Sequence, residues 1–183
     1  MAIDGFYWVI EGALAGSPRP GGIGAIHGRQ GHGRWERPQP EDTEQSARRQ
    51  LEQLEDDLAW LRTQGIGAIL SLTEKPLPAE AVAKSQLAVL HLPVDDMTAP
   101  IPEQLDRALA FIDMQRGQGR AVAVHCKVGQ GRTGTVLAAY LIRGGASVES
   151  ALHTLRTLSP GAISAPEQEH ALRAYANRRD WIV

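Results

Sequence analysis

The chain has 183 residues, 43% of them apolar and 22% charged, with a formal net charge of -2. That length fits a single domain, residues 1–183, with one sizeable core, and the balanced charge gives no electrostatic ground for a nucleic-acid or membrane-surface partner. No apolar run approaches the roughly 18 residues of a spanning helix, the N-terminus lacks the basic start and long apolar stretch of a signal peptide, and a lone cysteine excludes an internal disulfide; a cytoplasmic, reducing setting and a monomer are expected.

Taken in chain order, Phe6–Ile10 is aromatic and β-branched and reads as a short strand, with Leu14–Ala15 continuing it. From about residue 17 to 40 the chain turns to glycine, proline and arginine without hydrophobic period, which predicts an irregular basic insertion. Leu51, Leu54, Leu58 and Leu61 then share one helical stripe that Gly65 closes. Ala68–Leu72 reads as a buried strand, Pro78–Ser85 as a short helix, Ala88–Leu92 as a strand, and Ile101–Arg116 as a helix with Leu105, Leu109 and Ile112 inward. Ala121–His125 is a strand-length apolar run, Thr133–Arg143 a helix stopped by Gly144-Gly145, and Ser147–Leu158 and Pro166–Arg178 two further helices. Strands alternating with helices predict an α/β fold, a mostly parallel central sheet flanked by helices.

The chemistry lies in His125-Cys126-Lys127-Val128-Gly129-Gln130-Gly131-Arg132-Thr133-Gly134. Ligands of open α/β sheets bind at the carboxyl ends of strands. A glycine-rich loop between a strand and a helix can aim backbone N–H groups at an anion, helped by the positive end of the helix. A cysteine at the start of such a loop meets the same field, and thiols so placed ionise at about pH 3.5–7.5 instead of about 8.5. The planar fork of Arg132 suits two phosphate oxygens, Gly129 and Gly131 permit close approach of backbone to ligand, and the Thr133 hydroxyl can donate to the thiolate. Cys126 also reads as a small apolar residue ending a strand, and its spacing to Arg132 alone does not overturn that; the two glycines, the strand–loop–helix setting and a suitable acid elsewhere in the chain together favour the nucleophile.

HCKVGQGRTG resembles the signature of the protein-tyrosine phosphatase superfamily, and YWVIEGALAGSPRP, SLTEKPLP and LSPGAISAPEQEHAL are similar to segments of the small atypical dual-specificity phosphatases. The resemblance spans nearly the whole chain outside residues 20–45. It implies the cysteine-dependent phosphatase fold, no cofactor and no metal, and hydrolysis of phosphate monoesters through a phosphocysteine intermediate. Cys126 is then the nucleophile, Arg132 the phosphate-gripping residue, and Lys127, Val128, Gly129, Gln130, Gly131 and Arg132 the phosphate loop.

A leaving alkoxide or phenoxide needs a proton, and Asp95 and Asp96 are both candidates in the loop after Leu92. The family pattern places proline four residues after the acid, which Asp96 with Pro100 meets; Asp95 reads as a solvated loop carboxylate. His125 reads as a loop anchor. Lys127 stands where several phosphoinositide phosphatases carry lysine, whereas neutral Gln130 departs from the second lysine those enzymes often have. Gln168 is a candidate for orienting the attacking water, although Ser164-Ala165-Pro166-Glu167 also reads as a helix capping box. His27 and His32 of the insertion lack the cysteine or carboxylate company of a metal site; the basic insertion reads as a flap that recruits acidic phosphorylated substrates. The expected partner is a phosphorylated protein, bearing phosphotyrosine and also phosphoserine or phosphothreonine, or a small phosphomonoester. A phosphoinositide or inositol-phosphate phosphatase and a non-catalytic phospho-binding module are the alternatives.

Overall fold

A computed structural model describes residues 2–22 and 40–178. β1 (Tyr7–Ile10) and β2 (Leu14–Ser17) pair antiparallel, Tyr7 opposite Gly16. This corrects the expectation that Leu14–Ala15 prolongs the first strand: Gly12 sits at φ +65°, which glycine adopts without a Cβ clash, and the chain reverses there. Ser17, placed by sequence in the insertion, is the last residue of β2; the insertion from residue 23 to 39, with His27 and His32, lies outside the described residues, as does Trp181.

The remaining elements alternate. They are α1 (Pro40–Thr63), β3 (Ile66–Ser71), α2 (Ala79–Ser85), β4 (Ala88–His91), α3 (Pro102–Gly117), β5 (Ala121–His125), α4 (Gly131–Arg143), α5 (Val148–Leu158) and α6 (Pro166–Ala176). The sheet runs β1-β2-β5-β3-β4 and is parallel everywhere except the β1–β2 edge. It is the mixed α/β fold that the alternation of elements predicts, with β5 in the middle.

Successive β5 side chains divide between two cores, as the period of two requires. Val122 and Val124 join Leu70 of β3, Leu105, Leu109 and Ile112 of α3 and Leu137 of α4 on one face. Ala121 and Ala123 join Ile69 and the α1 leucines Leu54, Leu58 and Leu61 on the other. Each of those leucines is buried, which stabilises by about 1.5–3 kcal/mol per side chain.

The start of α4 and the cap of α6 differ from the sequence expectation. α4 begins at Gly131 rather than Thr133, because the Gly134 N–H already donates to the Gln130 carbonyl at 2.9 Å; Arg132 therefore belongs to the first helical turn. α6 has Ala165 at its N-cap with no side-chain cap bond and Pro166 inside its first turn, so Ser164 forms no capping box. Proline there needs no N–H partner and brings its backbone preset for the helix.

Candidate active site

Three parallel strand ends, Ser17 of β2, His125 of β5 and Ser71 of β3, stand in register side by side. The loop from Cys126 to Gln130 leaves this line of strand ends and enters α4. Its start is clamped by backbone bonds on both sides: Leu72 N–H to the His125 carbonyl at 2.9 Å and Arg19 N–H to the Lys127 carbonyl at 3.2 Å.

Cys126 is buried at 3% exposure, and its Sγ accepts the Gly129 N–H at 3.3 Å. Gly129 has φ +81°, and a Cβ there would lie 2.5 Å from the Ser17 carbonyl carbon and 2.7 Å from the Pro18 nitrogen. Backbone pressed on backbone leaves room only for glycine, which is why the loop can turn back over the sulfur. The Gly129 carbonyl accepts from the Tyr7 hydroxyl at 3.0 Å. Lys127 and Val128 are exposed on the rim, and Gln130 Nε2 donates to the Pro160 carbonyl at 2.9 Å.

His125 is fully buried, and burial pushes its imidazole down to about 4, with the Cys126 carbonyl opposing and the Arg19, His91 and Arg132 charges reinforcing the shift. Nδ1 lies 3.2 Å from the Cys126 carbonyl; a carbonyl can only accept, so Nδ1 carries the proton of a neutral ring. Nε2, and the Oγ1 of buried Thr133, have no hydrogen-bond partner.

Arg132 reaches from the first turn of α4 into the protein and is 1% exposed. Nη1 donates to the Val94 carbonyl at 2.6 Å and to Glu74 Oε1 at 3.1 Å, while Nη2 donates to Asp96 Oδ1 at 2.9 Å. Glu74 is held below the usual carboxylate range, first by a backbone N–H bond at its own residue and then by Arg132, against a partial desolvation cost. Asp96 Oδ1 also accepts the Met97 N–H at 3.1 Å, and Met97 is held at φ +62°. Asp95 instead uses its backbone carbonyl, which takes the Thr98 N–H and hydroxyl at 3.2 and 2.8 Å.

Gln168 of α6 closes the far side. It is 2% exposed, its Nε2 donates to the Thr98 carbonyl at 3.1 Å, and its buried Oε1 has no partner. A Cβ on Gly131 would stand 2.7 Å from that Nε2, so the loop's second glycine lets α6 approach. The structure thus brings Cys126, Gly129, Gly131, Arg132, Asp96 and Gln168 to one place. It adds Tyr7 and Glu74, which the sequence does not single out, and Arg19, which the sequence places only among the arginines of the basic insertion. Among the described residues, no group of three His, Cys, Asp or Glu side chains could hold a metal ion.

A phosphatase family described as "Polymorphic toxin system, DSP-PTPase phosphatase" matches residues 45–146, more than half of the chain and including the whole cysteine–arginine loop. The chain belongs to this DSP-PTPase family. It is similar to dual specificity protein phosphatase 12 of Rattus norvegicus, with 32% identity over 118 residues, 63% of this chain and 35% of that protein. It is also similar to the phosphatidylglycerophosphate phosphatase PTPMT2 of Arabidopsis thaliana, at 27% identity over 66% of this chain and 55% of that one. The chain therefore spans only about a third to a half of these relatives' lengths. Among solved structures it resembles Tk-PTP in its active form, with TM-score 0.69 and 28% identity over 96% of this chain and 98% of the other. The small atypical dual-specificity type expected from the sequence is the type found.

Proposed function

We propose that the protein hydrolyses phosphate monoesters through a phosphocysteine intermediate, with Cys126 as nucleophile, Arg132 as phosphate ligand and Asp96 as general acid. The observation that carries this is the convergence of a glycine-turned loop on the Cys126 sulfur with an Arg132 guanidinium that Asp96 caps at 2.9 Å. A phosphomonoester dianion settles against the amides of Lys127–Gly131 and takes over the outer edge of Arg132. Asp96, displaced from the guanidinium, turns to the leaving oxygen. Cys126 thiolate attacks phosphorus, forming S–P as the P–O bond breaks, and Asp96 gives its proton to the leaving oxygen. Water then attacks the phosphocysteine, losing a proton to Asp96, and the S–P bond breaks to release phosphate and regenerate the thiolate. Gln168, with its unpartnered Oε1, orients that water; the Thr133 hydroxyl, which has no partner in the structure, turns to donate to the thiolate; neutral His125 anchors the loop. Positive charge comes from Arg132 and backbone dipoles, so the scheme requires neither metal nor cofactor.

The substrate class that fits is a phosphorylated protein side chain, phosphotyrosine first, in a cytoplasmic setting that keeps Cys126 reduced. Phosphoinositide or other lipid phosphates are the second reading, favoured by the likeness to a protein named for phosphatidylglycerophosphate. A phosphate-release screen over phosphotyrosine, phosphoserine and phosphothreonine peptides and over phosphoinositides, with Cys126→Ser as blank, separates them. Release from phosphotyrosine peptides above the blank is expected; release confined to lipids replaces the first reading by the second, and none from any substrate refutes both.

A further inference from the structure

We propose that Tyr7, at the start of the N-terminal hairpin, is a positioning residue that sets the phosphate loop by holding the Gly129–Gln130 peptide with its N–H turned toward the bound anion. The proposal rests on the phosphatase reading above.

The Tyr7 hydroxyl donates to the Gly129 carbonyl at 3.0 Å across 122 residues of sequence, and the bond is buried. A trans peptide is planar, with C=O and N–H on opposite sides. The Gln130 N–H therefore lies on the far side of that peptide from Tyr7. The preceding peptide already turns its N–H inward, since the Gly129 N–H points at Cys126 Sγ. With Tyr7 beneath, two consecutive amides are arranged for the sulfur and for the anion that it attacks.

Glycine at 129 makes such an anchor necessary. Its φ of +81° is one of several conformations open to a residue without Cβ, so the Gly129–Gln130 peptide would otherwise turn easily. The hairpin is shaped to deliver the hydroxyl. Tyr7 pairs with Gly16 across the β1–β2 ladder, and a Cβ on Gly16 would stand 2.3 Å from the Tyr7 ring carbon that bears the hydroxyl. The hydroxyl end of the ring thus lies over Gly16, reaching from the edge strand past β2 to the loop. Burial, and next the nearby Cys126 charge, raise the phenol well above the ordinary tyrosine value, so the donor keeps its proton over the range in which a thiolate enzyme works.

Tyr7→Phe keeps the ring and removes only the hydroxyl. Losing a whole oxyanion donor costs roughly 10²–10³ in rate; a peptide that turns away part of the time should cost about 10- to 100-fold in kcat/KM on phosphotyrosine peptide. Vanadate affinity, measured on the same protein, should fall by a similar factor, while the thermal midpoint moves by no more than about 4 °C. Wild-type vanadate affinity and kcat/KM in Tyr7→Phe would overturn the role of Tyr7. So would an activity loss that only follows the folded fraction, with vanadate affinity of the folded molecules unchanged. Failure of the wild type itself to bind vanadate or release phosphate refutes instead the phosphatase reading beneath it.

Discussion

Asp96→Asn should act in opposite directions on turnover and on anion affinity. The Asp96 carboxylate is half exposed, at 51%, and accepts from Nη2 of an Arg132 that is 1% exposed. With one partner in solvent, the pair contributes about 0.2–1 kcal/mol, which is the part of the Arg132 field an incoming phosphate must win. Asparagine keeps the shape but gives up the charge, so vanadate should bind up to about fivefold more tightly, at 1.4 kcal/mol per decade. Turnover loses its proton donor, typically worth about 10²–10⁴, and the loss should be large for alkyl phosphates and small for para-nitrophenyl phosphate, whose leaving group needs little help. The basic limb of the kcat/KM profile should vanish with the acid. Steady-state kinetics on both ester types, with vanadate inhibition read alongside, tests this. If Asp95→Asn produced the leaving-group dependence and Asp96→Asn did not, the acid would be misassigned. Weaker vanadate binding by Asp96→Asn would overturn the idea that the carboxylate competes for Arg132.

Cys126→Ser and Arg132→Ala should each reduce phosphate release to near background while chelators leave the wild type unchanged; near-normal release by either variant ends the proposed mechanism. Gly129→Ala should lose vanadate binding and unfold at lower temperature, because its Cβ meets the Ser17–Pro18 backbone at 2.5–2.7 Å and φ +81° is strained for alanine; a wild-type melting curve would refute the packing argument. His125 gives a pH dependence of stability: its folded value of about 4 lies below the 6.5 of the unfolded chain, so the unfolded state takes up the proton first. Stability is then intact above pH 6.5 and falls as pH drops toward 4, by up to roughly 3 kcal/mol. Urea titrations over that range should show a shallower slope for His125→Gln, and an unchanged slope would count against a neutral buried imidazole.

What the sequence made legible is what is encoded locally. Ala121–Val124 is apolar at every residue because β5 is covered on both faces, and the glycines after Cys126 announce a tight anion loop wherever they occur between a strand and a helix. Asp96 could be preferred to Asp95 only through its spacing to Pro100. The β1–β2 turn also left a trace, since Glu11-Gly12 between two apolar runs is hairpin chemistry, but the runs are only four residues each and read as one interrupted strand. The start of α4 was obscured because the glycines that shape the loop also lower helix propensity, so Arg132 looked like a loop residue although it is on the first turn.

The contacts that complete the site are distant in sequence and leave no such pattern. Glu74 meets Arg132 across 58 positions and Tyr7 meets Gly129 across 122; neither has a periodicity or a neighbour that marks its target. Both become intelligible from the strand order. Because β5 is flanked by β2 and β3, whatever follows β3 and whatever lines the β1–β2 hairpin must end beside the loop that leaves β5. Glu74 comes three residues after the end of β3, and Tyr7 stands opposite the penultimate residue of β2. A parallel sheet thus gives the central strand's loop two sets of neighbours from remote parts of the chain. One supplies a carboxylate that holds the Arg132 guanidinium, the other a hydroxyl at the Gly129 carbonyl, and the loop between them consists of residues too permissive to hold one shape alone.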